Sequence, residues 1–203
     1  MIKVLIIGVN HNDPLGRMKI VDVLNNEKNT GMVPECVCVE WKKEIADEVI
    51  SQRLIFIDYI QECCSSIDSG TAKQLSNAMA FEVDAHTMVY PNLEVFWLDE
   101  ARNVTTSDDV VKLYYKNRAD IYVTYLENDI AEMSKKLCAI RTTPVPEIRD
   151  RQFAEVVNKA IELGYKSICC IVGANHASIL TEGSFADLLV NKGFEVIVYD
   201  TTV

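Results

Sequence analysis

The chain has 203 residues, of which 30 are acidic and 20 are basic, so its formal net charge is -10. A chain of this length is long enough for one domain with a sizeable core. The acidic balance and the lack of a basic cluster exclude a nucleic-acid partner held through its phosphates. The composition is otherwise that of an ordinary globular protein.

The first apolar run and the cysteines indicate the cellular compartment. The run from Val4 to Gly8 is too short for a signal-peptide core or a membrane span. The seven cysteines are an odd number, and no two of them have the C-x-x-C spacing of a zinc or redox site. We therefore expect a reduced, cytoplasmic protein with free thiols and no membrane partner.

Short apolar runs alternate with helical patterns along the chain. Strands are predicted at residues 3–8, 35–41, 93–98, 167–172 and 194–199. Asp13 followed by Pro14 marks the start of the first helix, and the polar residues 25–34 are predicted to be a loop. Further helices are predicted at residues 42–66, 71–83, 108–137, 148–163 and 178–190.

This alternation predicts an α/β fold with a mostly parallel or mixed central sheet flanked by helices. The apolar run from Cys36 to Val39 is continuous, which is typical of a parallel strand covered by helices. The helix-rich middle, about residues 43–140, is expected to be a helical cap or insertion within a single domain of residues 1–203. Substrate specificity is expected to lie in this middle section.

The tetrapeptide Gly-x-Asn-His occurs twice, each time directly after a run rich in Val and Ile. Two of the three histidines in the chain, His11 and His176, belong to it. Ligands of open α/β sheets bind at the carboxyl ends of the strands. If the strands are parallel, we expect these two histidines and Glu40, which ends the second strand, to converge at one edge of the sheet.

Two imidazoles and a carboxylate are a common ligand set for a catalytic divalent metal with open positions. Asn10 and Asn175 would then hydrogen-bond to the ligands or to the substrate. The alternative is that each histidine is an ordinary loop residue and that Glu40 is only the polar end of a buried strand.

Two further strands end in aspartate. An aspartate after a strand is often a turn former or helix cap. This structural role is an alternative for Asp99 and is favoured for Asp200.

Charged residues on two predicted helices complete the candidates. Arg149 presents a planar fork for a carboxylate, either to orient Glu40 or to bind an anionic substrate group. The alternative is a solvated first turn with Asp150 near the helix dipole. Glu82 and His86 lie four residues apart and would share one face of a helix. The break towards Pro91 argues against a helix there, so they are interpreted as a surface pair.

Four motifs in chain order resemble those of the TraB/Tiki superfamily: Gly8-Val-Asn-His11, Val37-Cys-Val-Glu40, Arg149-Asp-Arg-Gln-Phe-Ala154 and Val172-Gly-Ala-Asn-His176. The resemblance implies metal-dependent peptidase chemistry carried by His11, His176 and Glu40. Related branches are erythromycin-esterase-like hydrolases, which use a histidine base without metal, and haem-uptake ChaN-like proteins. The chain departs from the family's Glu-Arg-Asp or Glu-Arg-Asn, since Ile148 precedes Arg149 here.

The residues and the resemblance together predict a metal-dependent hydrolase that cleaves peptide or amide bonds of a small-molecule or peptide substrate. The expected cofactor is a divalent metal (Mn, Co or Zn). The alternatives are a metal-independent esterase-like hydrolase with a histidine base and a non-catalytic small-molecule or haem-binding protein. The expected site comprises His11, Glu40, His176 and Arg149, with Asn10, Asn175, Asp99 and Asp150 beside them.

Overall fold

A computed structural model describes residues 1–51, 53–99, 118–126, 132, 135 and 147–202. Its five strands form one sheet in the order β3-β2-β4-β1-β5, and every neighbouring pair is parallel. The strands are β1 (Lys3–Val9), β2 (Cys36–Val39), β3 (Glu94–Trp97), β4 (Ser167–Gly173) and β5 (Glu195–Asp200). The predicted α/β class is confirmed, and the sheet is parallel rather than mixed.

The helices flank this sheet. They are α1 (Gly16–Thr30), α2 (Lys43–Ser51), α3 (Arg53–Cys63), α4 (Ser69–Asn77), α5 (Phe81–Asp84), α6 (Glu147–Glu162) and α7 (Phe185–Asn191). Short 3-10 turns follow α5, at Ala85–Met88, and β4, at Ala174–His176. Residues 118–126 are also helical. In the described part of the chain, no helix is long and apolar enough to span a membrane.

The three central strands of the sheet, β2, β4 and β1, are apolar and buried on both faces, and the edge strands β3 and β5 are partly buried. On one face, α6 and α7 pack Phe153, Val157 and Leu189 against strand residues such as Ile6. On the other face, α1 and α5 pack further apolar side chains against Leu5 and its neighbours. Fully burying one such side chain stabilises the fold by about 1.5–3 kcal/mol. Four cysteines lie in these layers as buried free thiols, in agreement with the predicted packing role (Cys36, Cys38, Cys169 and Cys170).

A third apolar cluster belongs to the helical middle, by which we mean α2 to α5 and residues 118–126. Phe56, Ile60, Met79 and Tyr122 are buried in it, and the rings of Phe56 and Tyr122 meet edge to face at 5.5 Å. Trp97, at the end of β3, packs against this cluster. The helical middle therefore reaches the carboxyl ends of the strands. Most of the helix predicted at residues 108–137 lies outside the described residues.

Several helix boundaries differ from the sequence predictions, and the helix predicted at residues 71–83 is divided into α4 and α5. Helix α1 begins at Gly16, two residues after Pro14, and continues to Thr30, so the loop predicted for residues 25–34 is largely wrong. Its polar final turns face solvent except at the buried Glu27, and Gly31 ends it in the left-handed conformation with φ 91°. Residues 178–184 are not helical, because Ser184 caps α7 and its side chain accepts from the backbone N–H of Asp187.

Candidate functional site

The site forms where three neighbouring parallel strands end. His11 follows β1, Glu40 follows β2, and His176 lies in the 3-10 turn after β4, the strand between them. His176 Nε2 lies 3.4 Å from Glu40 Oε1, and His11 Nε2 lies 3.6 Å from Glu40 Oε2. The structure therefore brings together the three side chains that the sequence analysis expected at one sheet edge.

His11 is held from behind by the helical middle. Its Nδ1 lies 2.5 Å from Glu82 Oε1, and the Glu82 side chain is fully buried. Arg118 donates to the carbonyl oxygen of His11 at 3.4 Å. Burial lowers the pKa of His11, but the charges and hydrogen bonds of Glu40 and Glu82 outweigh burial and raise that pKa to about 10. Glu82 thus fixes the ring with Nε2 directed towards Glu40.

His176 is held in the same way by the start of α6. Its Nδ1 lies 2.8 Å from Asp150 Oδ1, which also accepts the backbone N–H of Phe185 at 2.7 Å. The imidazole packs on the ring of Phe153, with the centroids 4.9 Å apart. Burial lowers the pKa of His176, but Asp150 and Glu40 raise it to about 9. Asp150 therefore has a specific partner and does not serve only the helix dipole.

Glu40 is buried and held on both carboxylate oxygens. Arg149 Nη2 lies 2.8 Å from Oε1, and the backbone N–H of Gly173 donates to Oε2. Burial raises the pKa of Glu40, but the two imidazoles hold it well below its usual value of 4.5. A carboxylate offers about four lone-pair positions. Two of them are taken by Arg149 and Gly173, and the oxygens also face the two histidines.

Arg149 links the site to the end of β3. Its Nε donates to Asp99 Oδ1 at 2.9 Å, and its Nη2 forms an ion pair with the other oxygen of Asp99 as well as with Glu40. Its guanidinium lies over the ring of Phe153, 5.2 Å from the centroid. Arg149 therefore makes the expected contact with Glu40, and Asp99 holds the guanidinium in place for it.

The interpretation of Glu82 and His86 as a surface pair is wrong. Their exposed fractions are 0% and 2%. Glu82 points to His11 across 71 residues of sequence. A left-handed residue, Ala80 (φ 50°), precedes it, and Arg53 donates to the carbonyl oxygens of Met79 and Ala80. The position of Glu82 beside His11 depends on tertiary contacts, so no local sequence pattern reveals it. The sequence shows only a carboxylate four residues before a histidine.

The two asparagines of the repeated motif lie elsewhere. Asn10 Oδ1 accepts the backbone N–H of Asn12 at 3.1 Å and so closes the turn after β1. Asn175 is exposed on the 3-10 turn. In the described part of the chain, neither side chain hydrogen-bonds to His11 or His176. Asp200 accepts the backbone N–H and hydroxyl of Thr202, which agrees with its expected turn role.

No family model matches this chain, and neither does any curated protein or solved structure. The described residues also contain no ready-made group of three His, Cys, Asp or Glu side chains around a metal position. Each oxygen of Glu40 faces one imidazole, so a complete ligand set requires an adjustment of this carboxylate. The distances between the imidazole nitrogens and the Glu40 oxygens can be compared with those of metal ligands.

Three features of the donor atoms are compatible with a divalent metal. The distances of 3.4 and 3.6 Å between Glu40 and the imidazoles exceed those of ordinary N–H···O bonds. Ligand atoms about 2.0–2.2 Å from a tetrahedral ion lie about 3.3–3.6 Å from one another. A Cβ on Gly173 would lie 2.9 Å from His11 Nε2 and 3.2 Å from Glu40 Oε2, so the glycine leaves the space between them open. A carboxylate on each Nδ1 is the arrangement that orients metal-binding histidines.

Proposed function

We propose that the protein is a metal-dependent hydrolase that cleaves a peptide or amide bond, with a divalent Mn, Co or Zn ion held by His11, His176 and Glu40. The observation that carries this proposal is the pair of Nε2 atoms facing the two oxygens of one buried carboxylate. The resemblance of the four motifs to the TraB/Tiki superfamily supports the reaction class.

Each residue around the ligands has a defined task. Glu82 and Asp150 accept the Nδ1 protons of the two imidazoles, so a metal would displace only the Nε2 protons and bind both Nε2 atoms. Arg149 and the Gly173 backbone N–H hold Glu40 in place. When bound, the metal supplies a water of lowered pKa and polarises the scissile carbonyl.

Metal titration of the two histidine variants tests this proposal. The purified protein is stripped with a chelator and titrated with Mn, Co and Zn by calorimetry, and hydrolysis is followed on a panel of peptides and amides. We expect one equivalent of metal to bind, and we expect His11→Ala and His176→Ala each to lower the affinity by about 10–100-fold or more. The control is His86→Gln, which changes a buried histidine that does not contact Glu40. Unchanged affinity and activity in both alanine variants would show that the proposal is wrong.

One observation favours a second candidate, the metal-independent hydrolase. The His176–Asp150 contact at 2.8 Å is the arrangement of a general base with its orienting carboxylate. Glu40 already has two hydrogen-bond donors, Arg149 and Gly173, without a metal. Hydrolysis that survives exhaustive chelation and is lost in His176→Ala favours this candidate over the first.

A further inference from the structure

One nitrogen of the Arg149 guanidinium, Nη1, is not paired with any of the described residues. Its planar guanidinium carries five N–H donors. Nε and Nη2 face the buried carboxylates of Asp99 and Glu40, whose side chains are 7% and 5% exposed. Among the described residues, Nη1 has no hydrogen-bond or ion-pair partner. The side chain is nevertheless 22% exposed, so part of it is accessible to a ligand.

The position of Nη1 is rigid and close to the proposed reaction centre. Asp99 binds both Nε and Nη2, and Phe153 lies under the guanidinium, so the plane cannot rotate freely. Nη1 is joined to Nη2 through one carbon, and Nη2 lies 2.8 Å from Glu40 Oε1. An oxygen bound to Nη1 would therefore be separated from Glu40 only by the guanidinium group of Arg149.

The surrounding charge makes this edge chemically distinct. The charges on the inner side of the site are already paired, because carboxylates bind both imidazoles and the inner side of the guanidinium (Glu40, Glu82, Asp99 and Asp150). Arg149 stays charged at every working pH. Its preorganised edge pays no reorganisation cost when it binds an oxygen that carries charge.

We propose that Nη1 of Arg149 binds an anionic oxygen of the substrate. The oxygen belongs either to a permanent carboxylate beside the scissile bond or to the reacting carbonyl as it takes up charge. This inference rests on the proposed hydrolase function for the meaning of the bound group. Binding of the anion itself is independent of metal and is tested without it.

The test compares three probes on the chelated protein by calorimetry. N-acetylglycine carries a permanent carboxylate, N-acetylglycinamide is its neutral counterpart, and methylphosphonate mimics a charged tetrahedral centre. The variant is Arg149→Lys, which keeps the charge but loses the fork. The matched control is Arg151→Lys, an exposed arginine two residues further along the same helix.

Two outcomes support the proposal and identify the source of the oxygen. If the oxygen is a permanent carboxylate, the wild type binds N-acetylglycine at least about 10-fold more tightly than the amide, and Arg149→Lys removes most of this preference. If the oxygen is that of the reacting carbonyl, only methylphosphonate shows the preference and its loss. Arg151→Lys should behave like the wild type in both cases.

The proposal is overturned if the wild type binds neither anion better than the amide. It is also overturned if Arg149→Lys weakens all three probes equally, because Arg149 then acts only by holding Glu40. If Arg149→Lys does not fold, nitrogen NMR of the arginine side chains in the wild type decides. The Nη1 resonance must respond to an anionic probe and not to the amide. Metal titration of the same samples separates failure here from failure of the hydrolase proposal.

Discussion

Replacing Gly173 with alanine should disable the site without damaging the fold. The backbone at this residue has φ -56° and ψ 142°, a region that every residue adopts, so alanine causes no backbone strain. The new Cβ would lie 2.9 Å from His11 Nε2 and 3.2 Å from Glu40 Oε2. Non-bonded heavy atoms prefer about 3.5–4.0 Å. The His11 ring must therefore shift by about 0.5 Å, or the methyl group fills the space needed by a metal or a substrate atom.

The size of the effect follows from this displacement. A misplacement of about 1 Å at a reacting centre costs about 10²-fold in rate, and loss of ligand orientation costs about 10–100-fold in metal affinity. We expect Gly173→Ala to lower metal affinity and any hydrolytic rate by about 10–100-fold. The free energy of unfolding should change by less than about 1 kcal/mol, since removing a glycine also restricts the unfolded chain.

Calorimetric metal titration, steady-state hydrolysis and chemical denaturation measure these three quantities on the same samples. The control is Gly70→Ala in the first turn of α4, where the added Cβ would lie 3.0 Å from the side chain of Asp68, which caps this helix. That variant should match the wild type in metal affinity and hydrolysis. Wild-type metal affinity and activity in Gly173→Ala would refute the view that the gap between His11 and Glu40 is the site.

Two further variants test the contact between Glu82 and His11 and the turn that precedes Glu82. Glu82→Gln should lower metal affinity by about 10–100-fold, because the amide no longer supplies the charge that orients the imidazole. The affinity is measured by calorimetry, and the control is Glu27→Gln, which changes a buried glutamate bonded to Tyr199. Equal losses of affinity in the two variants would contradict the prediction. Ala80→Gly should raise the free energy of unfolding by about 0.5–1 kcal/mol in denaturant titrations, because only glycine adopts φ 50° without strain; a lower value would show that no strain is stored at this turn.

The sheet and its polar edge were predictable because the signals are local. Each strand is a short apolar run, and a parallel sheet places the residue after each strand at the same edge. His11, Glu40 and His176 are therefore found by looking only at the residues that end strands. The boundaries of α1 and α7 were not predictable in the same way. Gly31 and Ser184 end and begin these helices through backbone conformation and capping, which compete with the apolar pattern.

Of the two carboxylates that bind the histidines, one was predictable from the sequence and the other was not. Asp150 belongs to a motif at the start of α6, so its presence at the site could be anticipated. Glu82 could not be, because its position depends on Arg53, on the left-handed Ala80 and on packing of the helical middle. Asn10 shows the reverse error. Its place in a repeated motif suggested a role at the site, but a turn of the backbone uses its side chain.

The charges at the site also predict how the metal-free protein responds to pH. The pKa values of His11 and His176 are raised from 6.5 to about 10 and about 9, so both imidazoles favour the folded state while they are protonated. Their contribution to stability is fully present below pH 6.5 and is lost as the pH rises through about 9 and 10. Glu40, whose pKa is lowered from 4.5, contributes above pH 4.5 and loses its effect in acid.

The chelated protein should therefore be most stable between about pH 4.5 and 6.5, and its melting temperature should fall from pH 7 to pH 9. A bound divalent metal replaces the imidazole protons as the positive charge beside Glu40, so the loaded protein should lose less stability over the same interval. Thermal unfolding of both forms at four or five pH values measures the difference. If the two forms follow parallel curves, the imidazoles do not exchange protons for metal, and the metal-independent base becomes the better account of this site.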